Sequence, residues 1–211
     1  MAPTEQSVAS TVNFGQHYAV LNLDMMSILM DAIRDTTEGQ VFISNCSRWN
    51  YAVHQKRCRP LTIFTSLAFN PSQPELDSKS TFAKLIAPFG TFEKGSSGVQ
   101  IDPGFAVDEK DFVLHKTRLS ATTGNSLEQI LNSRGIDTVV ISGLSISGVV
   151  MSTIYRLFDL DYNIYVISDN VLELPVNETA AFWKVMLDTL LPKMSLTAIS
   201  LDEALQALER S

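Results

Sequence analysis

At 211 residues the chain has the length of one domain, and its 45% of hydrophobic residues can bury a sizeable core. A formal net charge of −7 argues against a general nucleic-acid binder and offers no basic patch to an anionic membrane. No apolar run reaches the ~18 residues that a membrane span needs. The sequence therefore predicts one globular domain over residues 1–211, with no nucleic-acid or membrane partner.

The N-terminal segment, residues 1–16, is polar and is predicted to be a flexible tail. It has no basic region followed by an apolar stretch, so it does not resemble a signal peptide. Cys46 and Cys58 are interpreted as reduced thiols of a cytoplasmic protein, because disulfides persist mainly in oxidising compartments. The sequence leaves open export without a leader.

Short apolar runs of the kind buried on both faces of a parallel sheet recur along the chain. The predicted strands are 18–23, 61–65, 112–114, 138–142, 163–167 and, with a weaker pattern, 196–199. Helical patterns separate them at 44–57, 125–134, 147–158, 177–191 and 200–208. This alternation predicts an α/β fold, a doubly wound parallel sheet of about six strands with helices on both faces.

One stretch, residues 70–111, interrupts the alternation and is rich in proline and glycine. It is too long for an ordinary connection, and long segments of this kind are usually functional.

The ligand site of an open parallel sheet lies beyond the carboxyl ends of its strands. Asp24 ends the first predicted strand, Lys116 ends the third, and residues 143–148 follow the fourth, so we expect them to meet at one edge. Two interpretations of Asp24 are open, a helix N-cap or a catalytic carboxylate. Lys116 is either a solvated surface charge or a partner of Asp24. As a converging pair the two would shift each other's pKa values and could transfer protons.

The chain shows no pattern for a metal or a nucleotide cofactor. The two cysteines lie too far apart for a metal motif, and His17, His54 and His115 are scattered. No Gly-x-Gly-x-x-Gly follows the first strand, where residues 24–27 read Asp-Met-Met-Ser. We predict that no metal and no cofactor is bound.

Several segments, in the right order over roughly residues 18–190, resemble the isochorismatase-like cysteine hydrolases. The motifs that carry the resemblance are Phe-Gly-Thr-Phe at 89–92, Leu-His-Lys-Thr-Arg-Leu-Ser-Ala at 114–121, Arg-Gly-Ile-Asp at 134–137, Val-Val-Ile-Ser-Gly at 139–143 and Ile-Ser-Asp at 167–169.

The resemblance implies a triad of Asp, Lys and Cys, of which Asp24 and Lys116 carry over. The nucleophile falls six residues after the loop glycine, and here that position holds Val149. The resemblance also implies a non-proline cis peptide, between Ser145 and Ile146. The substrate pocket is expected to be formed by Met26, Leu29, Ser145, Ile146, Ser147, Gly148 and Val149.

Three further positions depart from the family pattern. Met26 stands where glutamine is usual, Leu29 where phenylalanine is usual, and Thr122 where an aromatic residue is usual. These changes leave the substrate class open.

Two hypotheses follow. The first is a hydrolase that cleaves the vinyl ether of isochorismate to pyruvate and a dihydrodiol acid. Asp24 would be the general acid and Lys116 would help to bind the substrate, a small organic acid. A lysine lowers the pKa of a neighbouring carboxyl, whereas a general acid needs its pKa raised, so burial must oppose Lys116. The second is a degenerate member that binds a small molecule or a protein partner without turnover.

The resemblance further implies a homo-oligomer. Phe182 and Trp183 give it weak support as an apolar helix surface, and the alternative is that both pack on the sheet.

Overall fold

The computed structural model describes residues 12–211, and its centre is one parallel sheet of six strands. The strand order is β3-β2-β1-β4-β5-β6, so the chain winds outward from β1 in both directions. The strands are β1 Tyr18–Leu23, β2 Leu61–Leu67, β3 Phe112–Lys116, β4 Thr138–Leu144, β5 Asn163–Leu172 and β6 Thr197–Ile199. The predicted doubly wound α/β sheet is confirmed.

Helices cover both faces of the sheet. They are α1 Ser27–Ile33, α2 Thr37–Gln55, α3 Thr81–Ile86, α4 Leu127–Ser133, α5 Met151–Phe158, α6 Thr179–Val185, α7 Leu191–Lys193 and α8 Leu201–Arg210. Alternation along β1 separates the faces, since successive side chains of a strand point to opposite sides. Leu21 packs with α4 and α5, whereas Val20 packs with α2 and α8. No helix among residues 12–211 is long and apolar enough to cross a membrane.

Four strands extend further at their carboxyl ends than the apolar runs indicate. β2, β3, β4 and β5 continue to Leu67, Lys116, Leu144 and Leu172. The added residues include polar and small side chains, which break the apolar pattern while the backbone pairing continues. The carboxyl ends of these strands form the edge at which the candidate site lies.

Helix boundaries follow the capping side chains. Helix α2 begins at Thr37, well before the predicted residue 44, because the Thr36 hydroxyl accepts a hydrogen bond from Gly39 N–H. Helix α8 begins as predicted after Ser200, and Ser200 and Glu203 form a capping box.

The predicted tail over 1–16 extends too far into the chain. Residues 1–11 lie outside the described residues, but Phe14 is only 1% exposed. Its ring lies 5.3 Å from that of Tyr165 and 6.4 Å from that of Trp49. Phe14 thus anchors residues 12–16 to the face of the sheet covered by α2 and α8. Its neighbours in the sequence are mostly polar, so the sequence pattern does not indicate this contact.

Candidate active site

A cavity of about 220 Å³ opens at the carboxyl edge of the sheet. It lies beside the boundary between β1 and β4, where the strand order reverses, and ligands of doubly wound folds bind at such a boundary. Its lining residues are Asp24, Met26, Leu29, Leu67, Leu85, Ile86, Phe89, Phe92, Lys116, Leu119, Leu144, Ser145, Ser147, Gly148, Val149, Glu173 and Leu174.

Asp24 directly follows β1 and adopts a left-handed backbone conformation, φ 59°, which aspartate tolerates better than most residues. Its N–H donates to Thr65 O on the neighbouring strand at 3.0 Å. The Thr65 hydroxyl donates to Asp24 Oδ1, also at 3.0 Å. Helix α1 is capped by Met26, not by Asp24. The N-cap interpretation is therefore wrong, and the carboxyl group faces the cavity.

Lys116 is the direct partner of Asp24. Its Nζ lies 2.7 Å from Asp24 Oδ2, and the Lys116 side chain is 1% exposed. The same Nζ donates to the carbonyl oxygens of Arg118 at 2.8 Å and Leu119 at 3.0 Å. An ammonium group has three N–H donors, so all three are engaged. Lys116 is therefore a buried partner of Asp24 and not a solvated surface charge.

The protonation of Asp24 depends on two opposed effects. Burial raises the pKa of the Asp24 carboxyl, because it disfavours the charged form. The charge of Lys116 and the hydrogen bonds from Lys116 and Thr65 lower that pKa, but burial is the larger effect and the net direction is upward. The balance that the sequence left open thus favours a carboxyl group that can serve as a general acid.

The segment after β4 brings Ser145, Ser147, Gly148 and Val149 to the cavity. Leu23 of β1 pairs with Gly143 of β4, and a Cβ at position 143 would lie 2.6 Å from Leu23 Cβ. Only glycine allows this approach, which sets the loop directly beside Asp24. A π-helical turn, Ile146–Val150, follows, and the Ser145 hydroxyl accepts from Gly148 N–H at 3.2 Å.

Two expectations about this loop are wrong in detail. The cis peptide joins Leu144 to Ser145, one residue earlier than the predicted Ser145–Ile146 bond. Because no proline follows this bond, the sequence offers only a count from Gly143 to locate the cis peptide. Ile146 does not line the cavity either, because the π-helical turn directs it into the hydrophobic core, where it is 0% exposed.

Apolar side chains form most of the cavity wall. Met26 and Leu29, two of the positions that depart from the family pattern, line it from α1 and the segment before it. The long segment that interrupts the alternation supplies a further part of the wall through Leu85, Ile86, Phe89 and Phe92. Thr122 is not a lining residue. The segment predicted to be functional thus shapes the space above Asp24.

Glu173 is a lining residue that the sequence analysis missed. It follows β5 directly, and it is 2% exposed. Its Oε2 accepts from Ser147 N–H at 2.7 Å and its Oε1 from Leu174 N–H at 2.9 Å. The rule of strand carboxyl ends would have selected Glu173 if the end of β5 had been placed at Leu172.

The cavity presents no activated nucleophile among its lining residues. Cys46 is buried in α2, where burial raises the pKa of its thiol, and Cys58 is exposed beyond α2; neither is a lining residue. The Ser152 hydroxyl donates to the carbonyl oxygens of Gly148 and Val149 within its own helix. No histidine lines the cavity to act as a base.

One group among the described residues has the geometry of metal ligands, namely His54, Asp108 and Asp111. Both carboxylates already pair with Arg59, and Asp111 precedes β3, at the amino edge of the sheet opposite the cavity. The cluster is therefore an ion-pair network remote from Asp24, and the absence of a bound metal stays a prediction.

The protein-family model of the isochorismatase domain matches residues 18–198, which include every lining residue of the cavity. The chain belongs to the isochorismatase family.

Two curated proteins are similar to this family member in sequence. N-carbamoylsarcosine amidase from an Arthrobacter species is 28% identical over 160 residues, which cover 71% of this chain and 57% of that protein. An Arabidopsis thaliana protein described as a probable inactive nicotinamidase is 32% identical over 82 residues, 38% of this chain and 42% of that protein. The chain spans about half the length of these relatives.

Two solved structures share the fold. An isochorismatase family protein from Burkholderia thailandensis has a TM-score of 0.74 at 21% identity, covering 94% of this chain and 98% of that one. A cysteine hydrolase from Pseudomonas syringae has a TM-score of 0.78 at 14% identity, covering 92% of this chain and 93% of that one.

Proposed function

We propose that this isochorismatase family member hydrolyses a small molecule through proton transfer from Asp24, without a covalent intermediate on cysteine. The observation that carries the proposal is the buried Asp24 carboxyl, whose pKa is raised by burial, in a cavity that no cysteine lines. The resemblance implies that Val149 stands at the position of the family nucleophile. A carboxyl group with a raised pKa retains its proton at a pH where an ordinary aspartate has lost it. The Asp24 carboxyl can then act as a general acid in a cavity that has no cysteine nucleophile.

A vinyl ether is a bond type that such a site can cleave. Asp24 gives its proton to the terminal methylene carbon, and the electron pair of the double bond forms the new C–H bond. Water adds to the resulting oxocarbenium carbon and releases one proton, which restores the Asp24 carboxyl. The hemiketal then breaks its C–O bond to give a carbonyl compound and an alcohol. With isochorismate, the substrate that the resemblance implies, the products are pyruvate and a dihydrodiol acid.

Lys116 has a definite part in this chemistry. As the proton leaves Asp24, a carboxylate develops 2.7 Å from the Lys116 ammonium group. The attraction between the two is stronger in the transition state than in the protonated ground state, and only such a difference accelerates the step. The carbonyl groups of Arg118 and Leu119 hold Nζ in place for it.

A degenerate binding protein is the second candidate, and Val149 is the observation that favours it. The relative from Arabidopsis thaliana, which is described as a probable inactive nicotinamidase, supports this candidate. This candidate needs the cavity but no proton transfer, so it predicts that Asp24 is dispensable for function.

An assay with two vinyl ethers tests the proposal. Isochorismate hydrolysis releases pyruvate, which lactate dehydrogenase reports, and cyclohexyl vinyl ether hydrolysis releases acetaldehyde, which alcohol dehydrogenase reports. We expect turnover of at least one, and Asp24→Asn should lower the rate by roughly 10²–10⁴-fold because it removes the general acid. Asp188→Asn, an equal change at an exposed position, is the matched control.

The result that contradicts the enzyme is an equal rate for Asp24→Asn and the wild type, with both folded. Binding of either ether without turnover would favour the binding protein instead.

We also propose a homo-oligomer located in the cytoplasm, as the sequence analysis predicts. Trp183 packs against the hydrophobic core, which favours the alternative interpretation for that residue. Val185 on the same helix is 54% exposed and supports a contact between copies. Cell fractionation tests the location.

A further inference from the structure

The charged residues that line the cavity are Asp24, Lys116 and Glu173. Two carry acidic groups and one is a cation, and the remaining wall is mostly apolar. A substrate that brings a carboxylate must therefore find a cationic or hydrogen-donating group that is not already engaged.

Lys116 does not supply such a group. Its three N–H donors are taken by Asp24 Oδ2, Arg118 O and Leu119 O. A substrate carboxylate could bind Lys116 only by displacing one of these acceptors, and the displaced buried oxygen would then lose its partner.

Glu173 has the opposite property. Each of its carboxylate oxygens accepts one backbone N–H, from Ser147 and from Leu174, and a carboxylate has about four acceptor positions. No ion pair within residues 12–211 includes Glu173. Acceptor capacity and an uncompensated acidic group therefore remain at the cavity wall.

We propose that the site takes a mainly apolar substrate that is uncharged or cationic, and that Glu173 is the residue that excludes carboxylates and accepts a hydrogen bond from the substrate. This inference rests on the proposed function, because it assumes that the cavity around Asp24 is the active site. It replaces the small organic acid that the resemblance implies, and an uncharged vinyl ether becomes a better substrate than isochorismate.

Glu173 also has a structural role, because its hydrogen bond from Ser147 N–H holds the loop after β4 in place. This structural role does not require a charged side chain, because a neutral amide oxygen could accept the same hydrogen bond. The charge matters for the ligand whatever else Glu173 does, because like charges a few ångströms apart repel strongly where the effective dielectric constant is about 20.

A matched series of ligands separates charge from shape: cyclohexanecarboxylate, cyclohexanecarboxamide and cyclohexylmethylamine. Titrations followed by NMR, on the methyl signals of Leu29, Leu119 and Val149, give affinities and locate binding in the cavity. We expect the amide and the amine to bind the wild type roughly tenfold or more tightly than the carboxylate.

Glu173→Gln should reduce the preference for the amide over the carboxylate by roughly tenfold. Glu178→Gln removes an equal charge from an exposed position nearby and should leave the preference unchanged. If Glu173→Gln does not fold, the order of affinities in the wild type still tests the substrate class.

Tighter binding of the carboxylate than of the amide by the wild type, or an unchanged preference in folded Glu173→Gln, overturns the inference. So does a failure of all three ligands to bind. Because binding is measured without turnover, an inert protein with the expected order contradicts the proposed reaction and leaves the charge selection standing.

Discussion

Replacement of Lys116 by methionine tests whether the Asp24–Lys116 pair behaves as one buried unit. The side chains keep similar length, but the cation and its three hydrogen bonds are lost. Removing one partner of a buried ion pair typically costs about 3–5 kcal/mol of unfolding free energy, because the other group must either stay charged without its partner or take up a proton. For a chain of 211 residues, this corresponds to a fall in Tm of roughly 6–20 °C.

The loss should depend on pH in a definite direction. In Lys116→Met the pKa of Asp24 rises further, because the two contributions of Lys116 that lower it are gone. A carboxyl whose folded pKa lies above its unfolded value of about 3.9 stabilises the fold fully below that value, and loses this contribution as pH rises toward the folded pKa. The slope reaches about 1.4 kcal/mol per pH unit. The variant should therefore be more defective at pH 8 than at pH 5.

Urea unfolding at both pH values measures the effect. The double variant Asp24→Asn/Lys116→Met, compared with Asp24→Asn alone, should lose this pH dependence because the Asp24 carboxyl is no longer present. Lys193→Met, at an exposed position, is the matched control and should change little. An equal defect of Lys116→Met at pH 5 and pH 8, or a pH dependence that persists without Asp24, would refute the reasoning.

Two further predictions concern the N-terminal anchor and assembly. Phe14→Ala should cost about 3–5 kcal/mol of unfolding free energy, because the ring is 1% exposed and packs on Tyr18, Trp49 and Tyr165; a cost below about 1 kcal/mol in urea unfolding would contradict the anchor. Light scattering at micromolar concentration should report a multiple of the 23.3 kDa chain mass, and a monomer mass alone would rule out the homo-oligomer.

The sheet could be predicted from the sequence because strands buried on both faces of a parallel sheet carry continuous apolar runs. The position of the candidate site followed from the same pattern. Once β1 ends before Asp24 and β3 ends at Lys116, the parallel arrangement brings both to one edge. Their direct contact at 2.7 Å, and the burial that raises the pKa of Asp24, depend on side chains from distant segments and needed the structure.

Glu173 shows why part of the site could not be predicted. The pairing of β4 with β5 passes from Ile141↔Val166 to Gly143↔Val171, so β5 contains extra residues opposite β4. Ser168, Asp169 and Asn170 fall in this irregular part and end the apolar run early. A bulge of this kind has no distinct signal in a single sequence, and the true end of β5 was missed with it.

The loop after β4 shows a limit of a different kind. Of the loop residues that the resemblance implies for the substrate pocket, Ser145, Ser147, Gly148 and Val149 line the cavity and Ile146 does not. The π-helical turn decides which side chains point inward, and turns of this type have no sequence signature that distinguishes them from the start of an α-helix.

The hydrogen bonds of Lys116 to the carbonyl groups of Arg118 and Leu119 hold the segment after β3 in place. The Asp24–Lys116 pair therefore stabilises the fold in addition to its proposed part in proton transfer. A descendant that had lost its activity would still keep Asp24 and Lys116. Loss of Asp24 would leave the buried Lys116 ammonium group without its acidic partner, and loss of Lys116 would leave the carbonyl groups of Arg118 and Leu119 without their donor. Inactivation should therefore accumulate first at wall and loop positions, which can change without that penalty. In this chain Met26, Leu29 and Val149 are such positions. Within such a lineage, residues of the cavity wall and the loop would change when the activity is lost, whereas the Asp24–Lys116 pair would be retained because it stabilises the fold.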